Sequence, residues 1–471
     1  MPKRDDAVDP WEEAMIRGEL HDVVRYADDF LDRLPERPVH PTAGVDTLRK
    51  ALGGRLPDGP TPVAEVVADL VGSAEPGILA TTSPRFFGFV IGGATPAAIA
   101  ADWLTTLWDQ NAGLYAASPA AAVVEEVAGG WLKELLGLPP DASFGFVTGG
   151  QMANFTCLAA ARHEVLRRAG WDVQRRGLQG APTVRIVVGE ERHSTIDRAL
   201  GFLGFGDATA EVVAADEQGR LRPDELRRVL NSGDQPTIVC AQAGNVNSGA
   251  FDPIGEISDI AHDVNAWVHV DGAFGLWAAA SPRRAHLLDG HERADSWATD
   301  AHKWLNVPYD SGIAFCADSA AHRAAMEVHA SYLIHADPGA ERDEMDWNPE
   351  FSRRARGFAT YAALRAQGKK GVTELIDRCC DHATRFAELL ANEPRVEVVN
   401  DVVLNQVLVH FDDDETTGQT VARVQQDGTC WLSGSSWKGR AVMRISVSNW
   451  ATTERDVERS VEAIVRAARA V

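Results

Sequence analysis

From residue 86 onward the chain alternates short β-branched runs with helical stretches, and this alternation restricts its possible folds more than any other feature. Strands are read at 144–147, 184–189, 211–214, 237–241, 267–271, 296–299 and 313–316, most of them short apolar runs bounded by turn residues. Helical patterns separate several of them, at 151–169, 223–230 and 253–265. Strand–helix–strand units with right-handed connections build a mostly parallel sheet flanked by helices. After residue 371 the order changes. Helices at 373–391, 419–426 and 454–470 and strands at 396–399, 407–411 and 441–446 read as a smaller α+β domain. Before residue 80 the helical pattern is broken at Pro35, Pro38, Pro41, Pro57, Pro60 and Pro62. Such a segment rarely forms its own core, so it is expected to lie against the rest of the chain or against a second subunit. The expected division is a helical arm at 1–80, a large α/β domain at 81–371 and a small domain at 372–471.

A chain of 471 residues is too long for one compact core. It carries 46 Lys and Arg against 68 Asp and Glu, a formal charge of -22, and such a surface repels both nucleic acid and anionic lipid. No apolar stretch approaches the roughly 20 residues that span a bilayer. The first residues lead into an acidic helical pattern rather than an apolar signal core. Cys157, Cys240, Cys316, Cys379, Cys380 and Cys430 form no C-x-x-C pair, and the adjacent Cys379 and Cys380 fall in a helical stretch. That suits reduced thiols in a cytoplasmic protein better than a disulfide framework or a zinc site, and no metal site is expected.

Two strand ends carry the chemistry. His269-Val270-Asp271-Gly272-Ala273 places a carboxylate at the C-terminal end of a central strand, where α/β folds bind ligands. One strand later, Asp300-Ala301-His302-Lys303-Trp304 presents a lysine between a histidine and a tryptophan. Alone, the aspartate serves equally well as a helix cap and the lysine as a snorkelling surface residue. Together on neighbouring strands they face one crevice. Pyridoxal phosphate needs such a pair: an amine of lowered pKa for a Schiff base, and a carboxylate that keeps the pyridine nitrogen protonated as an electron sink. Ala273, two residues past Asp271, points to the same side and lies flat under the ring.

A phosphate site is offered by Thr148-Gly149-Gly150-Gln151, a strand end and Gly-Gly turn that opens a helix, where free N–H groups receive a dianion. There is no G-x-G-x-x-G and no Walker lysine, which disfavours dinucleotide and P-loop readings. His193 follows the next strand and is placed to stack on a cofactor ring, or simply to start a helix. H-E-x-x-H and G-x-S-x-G are absent, and Ser435-Ser436-Trp437-Lys438 matches S-x-x-K without its companion motifs.

In this order, Thr148-Gly149-Gly150, His193, His269 to Ala273 and Asp300 to Trp304 resemble the group II pyridoxal-phosphate decarboxylases, which include the aromatic-L-amino-acid, tyrosine and glutamate decarboxylases. The likeness runs from Ser83-Pro84-Arg85-Phe86-Phe87-Gly88-Phe89 through Ala117-Ser118-Pro119-Ala120 to Met443-Arg444-Ile445-Ser446-Val447-Ser448. It implies a type I fold and a homodimer whose active sites lie at the interface, with the N-terminal arm crossing to the partner. It implies that Lys303 carries the cofactor, Asp271 pairs with the pyridinium and His193 stacks on the ring. Gly149, Gly150 and His302 would hold the phosphate, with Thr148, Gln151, Asn245, Ala273 and Asp300 also in the cofactor site. Phe86, Phe87 and Trp103 fall where the family lines its substrate pocket, and this favours an aromatic L-amino acid.

The chain departs from the family at two places. Gly244-Asn245-Val246-Asn247-Ser248-Gly249 replaces a threonine-rich turn, and Glu344 stands where the mobile lid carries a tyrosine that returns a proton to Cα. No tyrosine lies between Tyr332 and Tyr361. The charged stretch 335–346 is expected to be that lid. The leading expectation is decarboxylation to an amine. The alternatives are aldehyde formation or another Cα-bond cleavage on the same fold, and a catalytically silent binding subunit.

Overall fold

The computed structural model describes residues 17–328 and 341–471. Seven strands form the larger sheet: β1 Ser143–Val147, β2 Arg185–Gly189, β3 Glu211–Val213, β4 Thr237–Gln242, β5 Trp267–Asp271, β6 Ser296–Asp300 and β7 Gly312–Cys316. Their order across the sheet is β1-β7-β6-β5-β4-β2-β3. From β6 to β3 every pairing is parallel, and only β7 runs against its two neighbours. Every residue of β1, β4, β5, β6 and β7 is buried, so both faces of the sheet are covered.

The two-residue period of a strand sorts the core. Val239 and Ala241 of β4 pack with Val268 and Val270 of β5 on one face. Ile238 and Cys240 pack with Trp267 on the other. The helix Gly150–Arg168 lies across β5, β6 and β7, and Ile254–His262 lies on β4 and β5. The architecture is therefore the expected α/β sheet flanked by helices. Its strand boundaries depart from the sequence reading by one residue at most strands, and β5 coincides.

A second, antiparallel sheet has the order β10-β11-β9-β8, with β8 Val396–Val398, β9 Gln406–Phe411, β10 Ser433–Trp437 and β11 Arg440–Ser446. β10 reads Ser-Gly-Ser-Ser-Trp, a poor strand former, and exists because β11 pairs with it from Arg440 to Arg444. Thr453 caps the last helix, Glu454–Arg469, in a capping box with Asp456. Between the sheets runs the segment Gly357–Leu390, helical except at Gly368, whose φ of 60° and ψ of 178° only glycine adopts without strain.

The helices Arg17–Arg33, Val45–Leu52 and Val63–Ala74 precede the sheet, and neither of the last two buries a single residue. All six cysteines are free and buried. No helix among the described residues is long and apolar enough to cross a membrane.

Candidate active site

Asp271 ends β5, 5% exposed, and the neighbouring strand β6 ends in Asp300. The two strands pair in parallel with Asp271 opposite Ala298, so both ends open on one cleft. Asp271 Oδ2 accepts a hydrogen bond from Asn154 Nδ2 at 3.1 Å. Its Oδ1 accepts one from the backbone N–H of Ala273 at 3.3 Å, which ties the chain past the strand end to the carboxylate.

On the next strand end, His302 and Lys303 gather around the Asp300 carboxylate. Lys303 Nζ lies 3.2 Å from Asp300 Oδ2 and 5.9 Å from the Phe274 ring centre. His302 Nε2 lies 3.3 Å from Asp300 Oδ1, and its Nδ1 accepts from Ser311 N at 3.1 Å. The ring stacks on Tyr309 at 4.2 Å. Burial lowers the His302 pKa, and with Nδ1 accepting, the proton of a neutral ring lies on Nε2, the nitrogen facing Asp300. The backbone N–H of Gly150, first residue of its helix, also donates to Asp300 Oδ1. A Cβ on Gly150 would stand 2.8 Å from Asp300 Oδ2, and one on Gly149 would stand 3.0 Å from His302 Cε1. The Gly-Gly turn is thus as bare as close approach to this helix start demands. An anion already sits on the helix start, as the dipole and free N–H groups favour.

His193 precedes the helix Ser194–Phe202, and its Nδ1 accepts from Thr195 N at 3.3 Å. Burial lowers its pKa, with Lys303 and Arg444 acting in the same direction and Asp271 against it. Gln151 Nε2 donates to Thr195 O at 3.4 Å and so lies beside the same turn. Thr148 directly precedes the Gly-Gly turn. Asn245 is 1% exposed and braces its own loop, with Oδ1 accepting from Asn247 N and Ser248 N at 2.8 and 3.1 Å. Its Nδ2 donates to Glu191 O at 3.1 Å, tying that loop to the one that bears His193.

The aromatic residues are placed differently. Phe86 stacks on Trp431 at 5.2 Å and Phe87 meets Phe386 edge-on at 4.9 Å, both 1% exposed and used in packing. Trp103 is 45% exposed and lines an apolar groove with Phe30, Leu31 and Trp450. Residues 335–340 of the expected lid lie outside the described residues. For residues 343–346 the lid reading is corrected, because Asp343, Glu344, Met345 and Asp346 are buried. Glu344 is 1% exposed and pairs with Arg342 at 2.9 Å, while Asn348 Nδ2 donates to its carbonyl. Behind it, Arg353 holds Glu125 at 2.9 Å with both side chains fully buried, and donates to Ala112 O and Phe146 O. Charges neutralised in pairs fill this interior, and charged composition alone reads as solvent-facing.

Sequence reasoning missed Asn154. It falls within the helix read from Gln151, but nothing in the local pattern tells which residue of that helix meets the end of β5. Arg444 was noted only as part of a strand, yet it is 8% exposed and close enough to His193 to lower its pKa.

Residues 46–412 match the family described as the pyridoxal-dependent decarboxylase conserved domain. Tryptophan decarboxylase 1 of Oryza sativa subsp. japonica is 30% identical over 95% of this chain and 93% of its own. An aromatic-L-amino-acid decarboxylase of Bacillus atrophaeus is 27% identical over 91% and 90%. A 4-hydroxyphenylacetaldehyde synthase of Rhodiola rosea is 27% identical over 93% and 91%. Among solved structures, Oryza sativa TDC with PLP and tryptamine superposes with a TM-score of 0.90 at 26% identity, covering 100% of this chain and 99% of that one.

Proposed function

We propose that this chain, which belongs to the pyridoxal-dependent decarboxylase family, acts on an aromatic L-amino acid and uses Lys303, Asp271 and His193 to do so. It is a carboxy-lyase with pyridoxal phosphate as cofactor. The observation that carries the residue assignment is the convergence of Asp271, Asp300, His302 and Lys303 at two adjacent strand ends beside the Gly149–Gly150 helix start. Those residues fit the cofactor: an amine and a buried carboxylate lie beside a helix start whose Gly-Gly turn carries no side chain and whose N–H already receives a carboxylate.

When bound, pyridoxal phosphate supplies the sink for the electron pair left on Cα as the carboxylate departs. Asp271, held by Asn154 and by Ala273 N–H, keeps a positive charge on the pyridine nitrogen. Lys303 Nζ carries the cofactor, and Asp300 orients Lys303 and His302. Gly149, Gly150 and His302 hold the phosphate, with Thr148 and Gln151 shaping the turn and Asn245 bracing the opposite loop. His193 is the group that returns a proton to Cα: burial lowers its pKa, so once it has taken up a proton from solvent or substrate ammonium it gives that proton up readily. The aromatic preference is supported by relatives named tryptophan and aromatic-L-amino-acid decarboxylases.

The enzyme works as a homodimer with the active site at the interface. Support comes from the two N-terminal helices that bury nothing within one chain, and from apolar Leu70, Leu104, Leu107 and Trp108, exposed among residues 17–123. Six buried free thiols support a reducing, cytoplasmic setting. Relatives named aldehyde synthases favour a second outcome, in which oxygen is consumed and aldehyde, ammonia and hydrogen peroxide accompany carbon dioxide.

One experiment tests both. Purified holoenzyme is given L-tryptophan, L-tyrosine, L-phenylalanine and L-glutamate while carbon dioxide, oxygen, amine and aldehyde are followed. Carbon dioxide should appear with an aromatic amino acid, not with Lys303→Ala, and borohydride should fix the cofactor to Lys303. Label on another lysine would overturn the assignment of Lys303, and carbon dioxide from glutamate alone would overturn the aromatic preference. Oxygen uptake matched to aldehyde selects the second outcome.

A further inference from the structure

Behind Asp271 a run of buried polar side chains passes through the core and emerges at His193. Trp267 Nε1 donates to Ser296 Oγ at 2.9 Å. Ser296 Oγ lies 3.0 Å from His269 Nδ1, and His269 Nε2 lies 2.9 Å from Asn154 Oδ1. Asn154 Nδ2 stands 3.1 Å from both Asp271 Oδ2 and Thr195 Oγ1. Thr195 Oγ1 completes the run at 2.9 Å from His193 Nδ1. Ser296 and His269 are fully buried and Asn154 is 1% exposed, so water does not compete for these bonds.

A hydrogen-bond chain has a direction, and here the carboxylate end fixes it. An ionised carboxylate can only accept, so Asn154 turns its amide nitrogen to Asp271 and its Oδ1 to His269 Nε2. At the other end Ser296 accepts from the indole N–H of Trp267. His269 is neutral, since burial pushes its pKa down to about 4, so its proton lies on Nε2 and points at Asn154 Oδ1. The Asn154 amide nitrogen thus faces Asp271 and Thr195, one N–H for each. His193 Nδ1 faces a backbone donor and is therefore an acceptor, so Thr195 Oγ1, 2.9 Å away, turns its hydroxyl proton there as well. The backbone N–H of Thr195 donates to that same nitrogen. A neutral His193 must therefore carry its proton on Nε2.

We propose that Asn154 is a positioning residue which holds Asp271 with one amide N–H and with the other holds the Thr195 hydroxyl, which joins the Thr195 backbone N–H in keeping the proton of His193 on Nε2. One side chain thereby sets the two groups assigned to the electron sink and to proton return. A His193 with the proton on Nε2 donates from the nitrogen turned away from Thr195; the opposite tautomer offers only a lone pair there. Aspartate at 154 would set two carboxylates face to face, and leucine would strand His269 Nε2–H without an acceptor. The chemical weight of this arrangement rests on the proposed function, but its geometry does not.

The test uses two readouts on holoenzyme grown with ¹⁵N-histidine. Solid-state ¹⁵N spectra report which nitrogen of His193 is protonated, with His193→Gln used to assign the signal. The pH profile of the bound cofactor's visible absorbance reports on Asp271. In the unaltered protein His193 should show only the Nε2–H form. Asn154→Leu should introduce the Nδ1–H form and shift the absorbance profile. Thr195→Val should introduce the Nδ1–H form but leave the absorbance profile in place, and Thr195→Ser should restore the Nε2–H form. If Asn154→Leu does not fold, the Thr195 pair decides. A His193 that stays wholly Nε2–H in Thr195→Val, or an absorbance profile displaced by Thr195→Val, overturns the proposal. The tautomer can also be read in cofactor-free protein, so a wrong assignment of Lys303 or of the substrate leaves this result standing.

Discussion

The cleft at the ends of β5 and β6 and the helices of residues 17–123 meet solvent in opposite ways. In the cleft, polar groups are buried and partnered: Asp271 by Asn154, Asp300 by His302 and Lys303, His269 by Ser296 and Asn154. In the N-terminal region apolar groups are exposed, with Leu52 at 53%, Leu70 at 57% and Leu107 at 68%. Most large exposed apolar side chains among the described residues fall between Leu20 and Val123. Polar groups are buried only when their bonds are made, and apolar faces stay open only when something covers them. The partners of these buried polar groups all come from within one chain, while the N-terminal region leaves apolar surface open.

Removing residues 1–80 is the harshest way to break that contrast. The expected result is loss of soluble dimer, seen as monomer or aggregate on size-exclusion chromatography with light scattering, with little cofactor bound. A soluble, active monomer would mean that the exposed helices serve no assembly.

Asp271→Asn attacks the other side of the comparison and should leave the oligomer intact. Turnover should fall at least about a hundredfold, since an unprotonated pyridine is a poor electron sink. Steady-state carbon dioxide release, beside the sedimentation profile of the same sample, separates the two effects. A near-normal rate would make the carboxylate a structural group.

The smallest expected effect concerns pH. His269 and His322 are fully buried, and burial pushes their pKa values down to about 4 and about 3. An unfolded chain takes up these protons near the ordinary value of about 6.5. Their contribution to stability is therefore complete above that pH and is lost as pH falls toward the folded values. By pH 4 each accounts for about 3 kcal/mol. Urea unfolding between pH 7.5 and 4.5 should show a shallower decline for His322→Gln than for the unaltered protein. Equal slopes would mean that the buried ring is not kept neutral.

Much of this could be read from the sequence, because strand ends are local. The run from Ala266 to Val270 is mostly apolar and ends in Asp271, and Lys303 follows the next strand, so neighbouring strand ends bring the two to one cleft. The parts that could not be read depend on tertiary partners. β10 owes its existence to β11, and Asn154 acquires its role only when a helix crosses β5. Glu344 and Arg342 fall in the stretch expected to be a mobile lid, because composition does not report that opposite charges have been buried together.

The six buried cysteines have a consequence for durability. Burial pushes Cys157, Cys240 and Cys430 up to about 12 and Cys379 to about 11, with Cys316 and Cys380 raised further. Oxidants and alkylating agents attack the thiolate, which at neutral pH scarcely exists at such sites. If some turnovers release hydrogen peroxide, the folded enzyme offers that by-product no sulfhydryl to consume. It should keep its full thiol count through prolonged catalysis without added reductant.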